Sequence, residues 1–426
     1  MSKLYWSTPI LAIAMLSLLG LESCRALNEP KTIVVVRTPA SSPDSTPFLT
    51  ANVTPAIALT MVPSTDQALL KQSWEAYRQR FIQSDGRVID LEAGDRSTSE
   101  GQAYAMLRAV MIGDRDAFDR TLKWAEENLV RTRAGKKTDS LWSWKWGKSD
   151  RGAWGILDAN FASDGDIDAI TALILASRRW QHRPYLALAQ GKLQDLWSLS
   201  TITDFRAGTQ QRRYLMPGPA AAFQKQSILQ LNPSYFAPAA FRLFAQVDAA
   251  HNWLSLIDSS YHVLDSASTL SSVGLPNDWV AVDLTTGSLQ ALTTPNPGTS
   301  EYSFDAYRVW WRVATDADWF GEPRARSFLR KHLKPIEKIW RSQQKIPARI
   351  DLQGKSTVSY DATSQYGMLY NAFRLIDPLI AKQIRQKKIA PTYKNGFWDN
   401  PSAYYTQNLV WLGLAPAAPL APWLKP

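Results

Sequence analysis

Cysteine and histidine, the residues that most metal and redox centres require, are nearly absent. One cysteine, Cys24, and four histidines, His182, His251, His262 and His332, occur among 426 residues. A single thiol excludes an intramolecular disulfide and a cysteine-rich metal site. No two histidines share metal-ligand spacing, so no metal and no other cofactor is expected. A Gly-rich phosphate loop and a G-x-S-x-G elbow are also missing. Asp164-Gly165-Asp166-Ile167-Asp168 opens like a calcium loop but lacks the following Gly and the distal Glu. Past the N-terminus no apolar run reaches the length of a membrane span, so the bulk of the chain is expected to be soluble. Positive charge is in excess, with 48 Lys and Arg against 38 Asp and Glu, a net +10. These residues read as scattered, with short clusters at 131–137 and 382–388 and no helical stripe. Nucleic acid is therefore not an expected partner; the charge sets solubility and attraction to anionic surfaces.

The first residues read as an export signal. Lys3 supplies a positive start, and Pro9 to Leu21 is apolar but too short for a comfortable span. Leu21-Glu22-Ser23-Cys24 resembles a lipoprotein processing site, with Glu22 in place of the usual small or apolar residue. Residues 1–24 are expected to be a signal ending at a lipidated Cys24. Residues 25–65, rich in Pro, Thr, Ser and Ala, form a tether. Residues 66–415 form the folded domain and 416–426 a Pro-rich tail. The expected location is periplasmic or outer-envelope, attached to a membrane through Cys24, or secreted if that thiol stays free.

From Asp66 onward the apolar spacing is helical almost throughout. Twelve helices are expected, near 66–82, 99–113, 115–130, 165–181, 184–199, 234–245, 248–264, 302–315, 321–343, 362–375, 377–388 and 402–413. Strand-like alternation is confined to short pieces such as 212–216 and 279–283. Six helical pairs predict an all-α (α/α)6 barrel, six inner helices inside six outer ones. Every second helix then starts at the same end. Those starts contain Ser99-Glu100, Ser163-Asp164, Asn232-Pro233-Ser234-Tyr235, Ser303-Phe304-Asp305, Ser359-Tyr360-Asp361 and Asn400-Pro401-Ser402. Each offers a Ser or Asn as an N-cap, and Ser99 to Gln102 reads as a capping box. Glu100, Asp164, Tyr235, Asp305 and Asp361 are thus expected around one opening.

Paired carboxylates facing an opening suit hydrolysis of a glycosidic bond, which needs one acid to protonate the leaving oxygen and a second carboxylate to attack or to activate water. A helix N-terminus lowers a carboxyl pKa, the wrong direction for the acid. Crowding by Asp164 or Asp166 is expected to restore the proton on Glu100. Sugars also need flat apolar platforms, and the chain holds 18 Trp. Trp142, Trp144, Trp146 and Trp154 fall between two inner-helix starts and are expected to stack on sugar. Trp124, Trp180 and Trp340 read as core.

Four blocks carry a family resemblance: Ser99-Glu100-Gly101-Gln102-Ala103-Tyr104-Ala105-Met106, Ala162-Ser163-Asp164-Gly165-Asp166, Asn232-Pro233-Ser234-Tyr235-Phe236, and Phe304-Asp305-Ala306-Tyr307-Arg308. In this order they resemble glycoside hydrolase family 8, in particular members that accompany bacterial cellulose synthase. The resemblance implies an (α/α)6 barrel and an inverting endo-acting hydrolase of β-1,4-glucan. It implies Glu100 as proton donor, Asp305 as base, and Asp164 as the carboxylate gripping the distorted sugar. Tyr235 and Arg308 then support the water and the base. Asp166, Trp142, Trp146 and Trp154 complete the expected substrate contacts. Residues 210–231 have no counterpart, so aromatic contacts there cannot be transferred. A monomer acting on glucan, beside the cellulose synthesis machinery, is the expected setting. Chitosan, xylan or mixed-linkage glucan are alternative substrates. A non-catalytic glycan-binding lipoprotein is a third reading, disfavoured because binding alone does not require this acid–base set.

Overall fold

The computed structural model describes residues 66–206, 211–293 and 298–425. The expected signal, Cys24 and tether lie outside the described residues. Apart from one short turn at Ala220–Phe223, the helices are α1 (Asp66–Phe81), α2 (Ser99–Ile112), α3 (Arg115–Asn128), α4 (Ser163–Trp180), α5 (Arg183–Ser200), α6 (Pro238–Val247) and α7 (Trp253–Ser268). They continue with α8 (Phe304–Phe320), α9 (Pro323–His332), α10 (Lys334–Gln343), α11 (Thr363–Ile376), α12 (Pro378–Ile384) and α13 (Tyr404–Leu414). The helix expected over 321–343 is broken at Leu333. Pro335, in the first turn of α10, lacks the N–H that a continuous helix would use.

Burial separates the two rings. Helix α4 is buried without interruption from Ser163 to Ala176, whereas α10 buries only Ile336 and Trp340. A helix apolar all round belongs inside, and a helix with one stripe belongs outside. The inner ring is α2, α4, α6, α8, α11 and α13, each packed on the next and the last on the first. Helices α3, α5, α7, α9 and α12 each pack on the inner helix before them. Helix α1 instead packs on α13, so the two ends of the barrel chain close it. There Trp411 Nε1 donates to the Leu70 carbonyl at 2.9 Å, and Asn408 Nδ2 donates to the Tyr77 hydroxyl at 3.1 Å. Close approach in the ring requires glycine. A Cβ at Gly413 would lie 2.1 Å from the Gly367 carbonyl oxygen.

The expected strand pieces are present as β6 (Arg213–Leu215) and β7 (Val280–Asp283). The Trp-rich stretch between two inner-helix starts is two hairpins: β2 (Val130–Arg133) with β3 (Lys136–Trp142), and β4 (Lys145–Lys148) with β5 (Trp154–Asp158). Strand β4 also pairs with β1 (Ser97–Thr98), which ends one residue short of Glu100. The Pro-rich tail is not loose. Leu420 and Leu424 are buried, and Arg178 of α4 donates to the Trp423 carbonyl at 2.9 Å. Among the described residues no helix is long and apolar enough to cross a membrane.

Candidate active site

The inner-helix starts meet at one end because their neighbours permit it. Gly165 lets α4 begin against α2: a Cβ there would sit 2.6 Å from Ser99 Oγ. Asp164 and Glu100 are thereby brought to one guanidinium. Arg308, 2% exposed, donates from Nη1 to Glu100 Oε2 at 2.6 Å and to Asp164 Oδ2 at 2.8 Å. Its Nη2 donates to Asp305 Oδ1 at 2.8 Å, one turn back along α8. The remaining carboxylate oxygens are also engaged. Tyr404 OH donates to Glu100 Oε1 at 3.0 Å, and the Gly165 N–H donates to Asp164 Oδ1 at 2.9 Å. Asp305 Oδ2 accepts from Asn232 Nδ2 at 3.0 Å and Trp279 Nε1 at 3.2 Å. The Tyr235 ring lies 5.4 Å from the Arg308 guanidinium. Deeper in the ring, Arg312 grips Asp168 through both its terminal nitrogens.

Burial decides the proton affinities. It pushes the Glu100 carboxyl up to about 7. Arg308 opposes this, the Asp164 charge reinforces it, the Tyr404 bond opposes it, and Asp305 adds a smaller upward push. Crowding was expected to supply the rise; it contributes, but desolvation is the larger cause. Asp164 is raised by burial too, with Arg308 as the main counterweight. Tyr235 is held well above its ordinary value by burial, so it remains a phenol donor.

Several expected site residues go elsewhere. Asp166 is fully buried and accepts the Trp142 N–H at 3.2 Å, away from Arg308. Residues two apart on a helix face opposite sides, so Asp164 and Asp166 cannot share the opening. Trp142 is 1% exposed, and its Nε1 donates to Glu126 at 2.8 Å; it is core and cannot stack on sugar. Asp361 pairs with Lys388 at 2.7 Å and accepts from Tyr366 at 2.8 Å, outside the Arg308 cluster. Trp154 is 47% exposed and stacks on the half-buried Trp146 at 5.3 Å, with Arg87 against both rings.

The expected caps are mostly absent. Thr98, not Ser99, caps α2, accepting from the Gly101 N–H at 3.0 Å. Gln102 points away to the Val88 N–H, so there is no capping box. Helix α8 takes its cap from a distant loop: Asp278 accepts from the Ser303 N–H at 3.1 Å and the Ala306 N–H at 2.7 Å. Asp278, Trp279 and Tyr404 were not singled out from the sequence. Phe223, in the stretch without a counterpart, stacks on Trp279 at 5.9 Å and 7°. Only the Asn-Pro-Ser-Tyr start hinted at Asn232.

A ring of helices whose shared end gathers three carboxylates on one arginine, with the Trp279 indole against one of them, defines a glycoside hydrolase on an (α/α)6 barrel. The family described as Glycosyl hydrolases family 8 matches residues 46–417, and the chain belongs to it. An endoglucanase from Xanthomonas axonopodis pv. citri is 35% identical over 281 residues, 65% of this chain and 68% of that one. An endoglucanase from Escherichia coli K12 is 30% identical over 306 residues, 70% of this chain and 77% of that one. The solved endo-β-1,4-glucanase of Acetobacter xylinum superposes with a TM-score of 0.63 at 26% identity, covering 84% of this chain and 99% of that one.

Proposed function

We propose that this glycoside hydrolase is an endo-β-1,4-glucanase that cleaves cellulose-type glucan with inversion. One observation carries the mechanism: a single buried guanidinium holds Glu100, Asp164 and Asp305, and Glu100 retains its proton up to about 7. Glu100 then protonates the glycosidic oxygen as the bond to the anomeric carbon breaks. A water attacks that carbon from the opposite face, and Asp305 takes its proton. The interposed guanidinium suits the wider spacing of about 6.5–9.5 Å that leaves room for this water, rather than the roughly 5–5.5 Å of a retaining pair. Asp164 grips the hydroxyls of the distorted sugar, and Tyr235 orients the water. Trp154 and the Phe223–Trp279 pair offer ring faces to further sugars along the chain.

The names of the relatives support glucan as the substrate. The apolar run at 9–21 and Cys24 support an exported protein, lipid-anchored at Cys24, and the motif resemblance supports work beside a cellulose synthase. Fatty-acid labelling that disappears in Cys24→Ala tests the anchor. Proton NMR of cello-oligosaccharide digests tests the rest: the first product should be the α-anomer, and Glu100→Gln should release none. First-formed β-anomer sinks the inverting assignment. Activity on xylan or chitosan but not on cello-oligosaccharides sinks the glucan assignment.

A further inference from the structure

The positive charge is not scattered once the chain is folded. Residues 322–345 hold eight Lys or Arg against two Glu, and residues 377–394 hold five against one Asp. Their excesses of +6 and +4 equal the +10 of the entire chain. The first segment is α9 and α10; the second is α12 with the turns after it. These elements adjoin on the flank of the barrel. Trp340 Nε1 donates to Gln383 Oε1 at 2.9 Å, Lys387 Nζ donates to Gln344 Oε1 at 2.6 Å, and Arg341 pairs with Asp377 at 3.0 Å. Arg330, Lys334, Lys338, Lys382, Lys387 and Lys394 are exposed, and none has an ion pair among the described residues. Surface charge left uncompensated on one face repels itself, and an external anionic partner relieves that repulsion.

Two further features specify the partner. Leu379, in the first turn of α12, is 74% exposed, the highest value among the exposed large apolar side chains. It lies three residues before Lys382, on the same helix face. Asp66, the first described residue, pairs with Arg385 of this face. The 65 preceding residues, with their apolar run at 9–21, therefore join the barrel beside the basic helices.

We propose that the face formed by α9, α10 and α12 docks on an anionic lipid surface, with the N-terminal segment as its tether. This deepens the reading of an envelope-anchored enzyme and rests on that reading for its location. A soluble polyanion would satisfy the same charges but would use neither Leu379 nor the exit point of the tether. Each lysine near a bilayer that carries anionic lipid adds to partitioning, and salt weakens the attraction. None of these residues belongs to the carboxylate cluster, so docking and hydrolysis are separable.

The test is co-sedimentation of the full chain with phosphatidylcholine vesicles, with and without about one-third phosphatidylglycerol. The N-terminal apolar segment contributes to both, so the difference reports the basic face. Wild type should favour the anionic vesicles by about tenfold or more, an advantage that fades as salt is raised. The quadruple variant Lys334→Gln, Lys338→Gln, Lys382→Gln, Lys387→Gln should lose most of that preference. A control with Lys123→Gln, Lys136→Gln, Lys137→Gln and Lys148→Gln should keep it. Leu379→Ser should weaken binding to the anionic vesicles while hydrolysis of soluble glucan stays unchanged, which separates this test from the catalytic one. Equal binding to both vesicles, or equal losses in the two quadruple variants, overturns the proposal. So does a face that loses dextran sulfate binding while its vesicle preference is intact.

Discussion

Replacing Glu100 by Gln should abolish hydrolysis and, above neutral pH, make the protein more stable. An unfolded chain ionises this carboxyl at its ordinary value of 4.5, whereas the folded protein holds the proton up to about 7. Between those values the native state binds more protons than the unfolded state, so stability falls as pH rises and levels off above about 7. At about 1.4 kcal/mol per pH unit, that interval amounts to roughly 3 kcal/mol lost by the wild type. The Glu100 side chain is 19% exposed, so solvent screens little of this. Gln resembles protonated Glu and escapes the loss. The attraction between the carboxylate and Arg308 is already contained in the value of about 7, so roughly 3 kcal/mol is the gain expected of the variant above that pH. Urea unfolding at about pH 4.5, 6 and 8 measures it, with an unchanged m-value confirming that the native fold is retained. The two proteins should be nearly equal at the lowest pH and diverge in favour of the variant at the highest. Parallel stability curves, or a variant weaker at about pH 8, would refute burial as the source of the raised proton affinity. Loss of a general acid costs about two to four orders of magnitude in rate, which takes product release below detection in the digests.

Asp164→Asn removes a negative neighbour that raises Glu100, so the basic limb of the kcat/KM profile should move to lower pH; an unmoved limb contradicts the coupling. Arg308→Met leaves three carboxylates without their shared cation. Unfolding at about pH 8 should show a loss of about 3–5 kcal/mol that shrinks toward pH 4 as the carboxyls protonate. Trp142→Phe should cost about 1 kcal/mol through the lost Glu126 bond and leave KM for cello-oligosaccharides alone. Trp154→Ala should do the opposite, raising KM with little change in Tm. Asp278→Ala strips the cap of the helix that carries Asp305. It should cost about 1–2 kcal/mol and lower kcat, while Asp278→Asn, which keeps an accepting oxygen, should recover much of both.

The helical ring was legible because a repeat of three to four residues is local. Past its acidic first turns an inner helix such as α4 is apolar almost all round, and an outer one such as α3 has a single stripe, so neighbours in the sequence already say which ring each joins. Barrel geometry then placed Glu100, Asp164, Tyr235 and Asp305 at one end, and the motif resemblance added Arg308. The pairing of α1 with α13 was not legible, because it joins residues more than 300 apart. The hairpins that hold the tryptophans also escaped, since their strands are short and polar residues such as Lys136 and Lys137 interrupt the alternation.

Composition and periodicity alone settled the helical class and the shared opening, and narrowed the acidic residues able to face it to a few, with Asp361 wrongly among them. Tertiary structure decided what each of those residues experiences. Asp164 meets Arg308, while Asp166, two positions on, is sealed beneath Trp142. Trp154 faces solvent and Trp142 does not. Glu100 keeps its proton because packing, more than its charged neighbours, takes water from it. The basic residues of two separate segments become one face because Trp340 meets Gln383. The physical reason is common to all of these. Helical period depends on residues three and four apart, whereas desolvation and charge pairing depend on whatever distant segment the fold sets alongside.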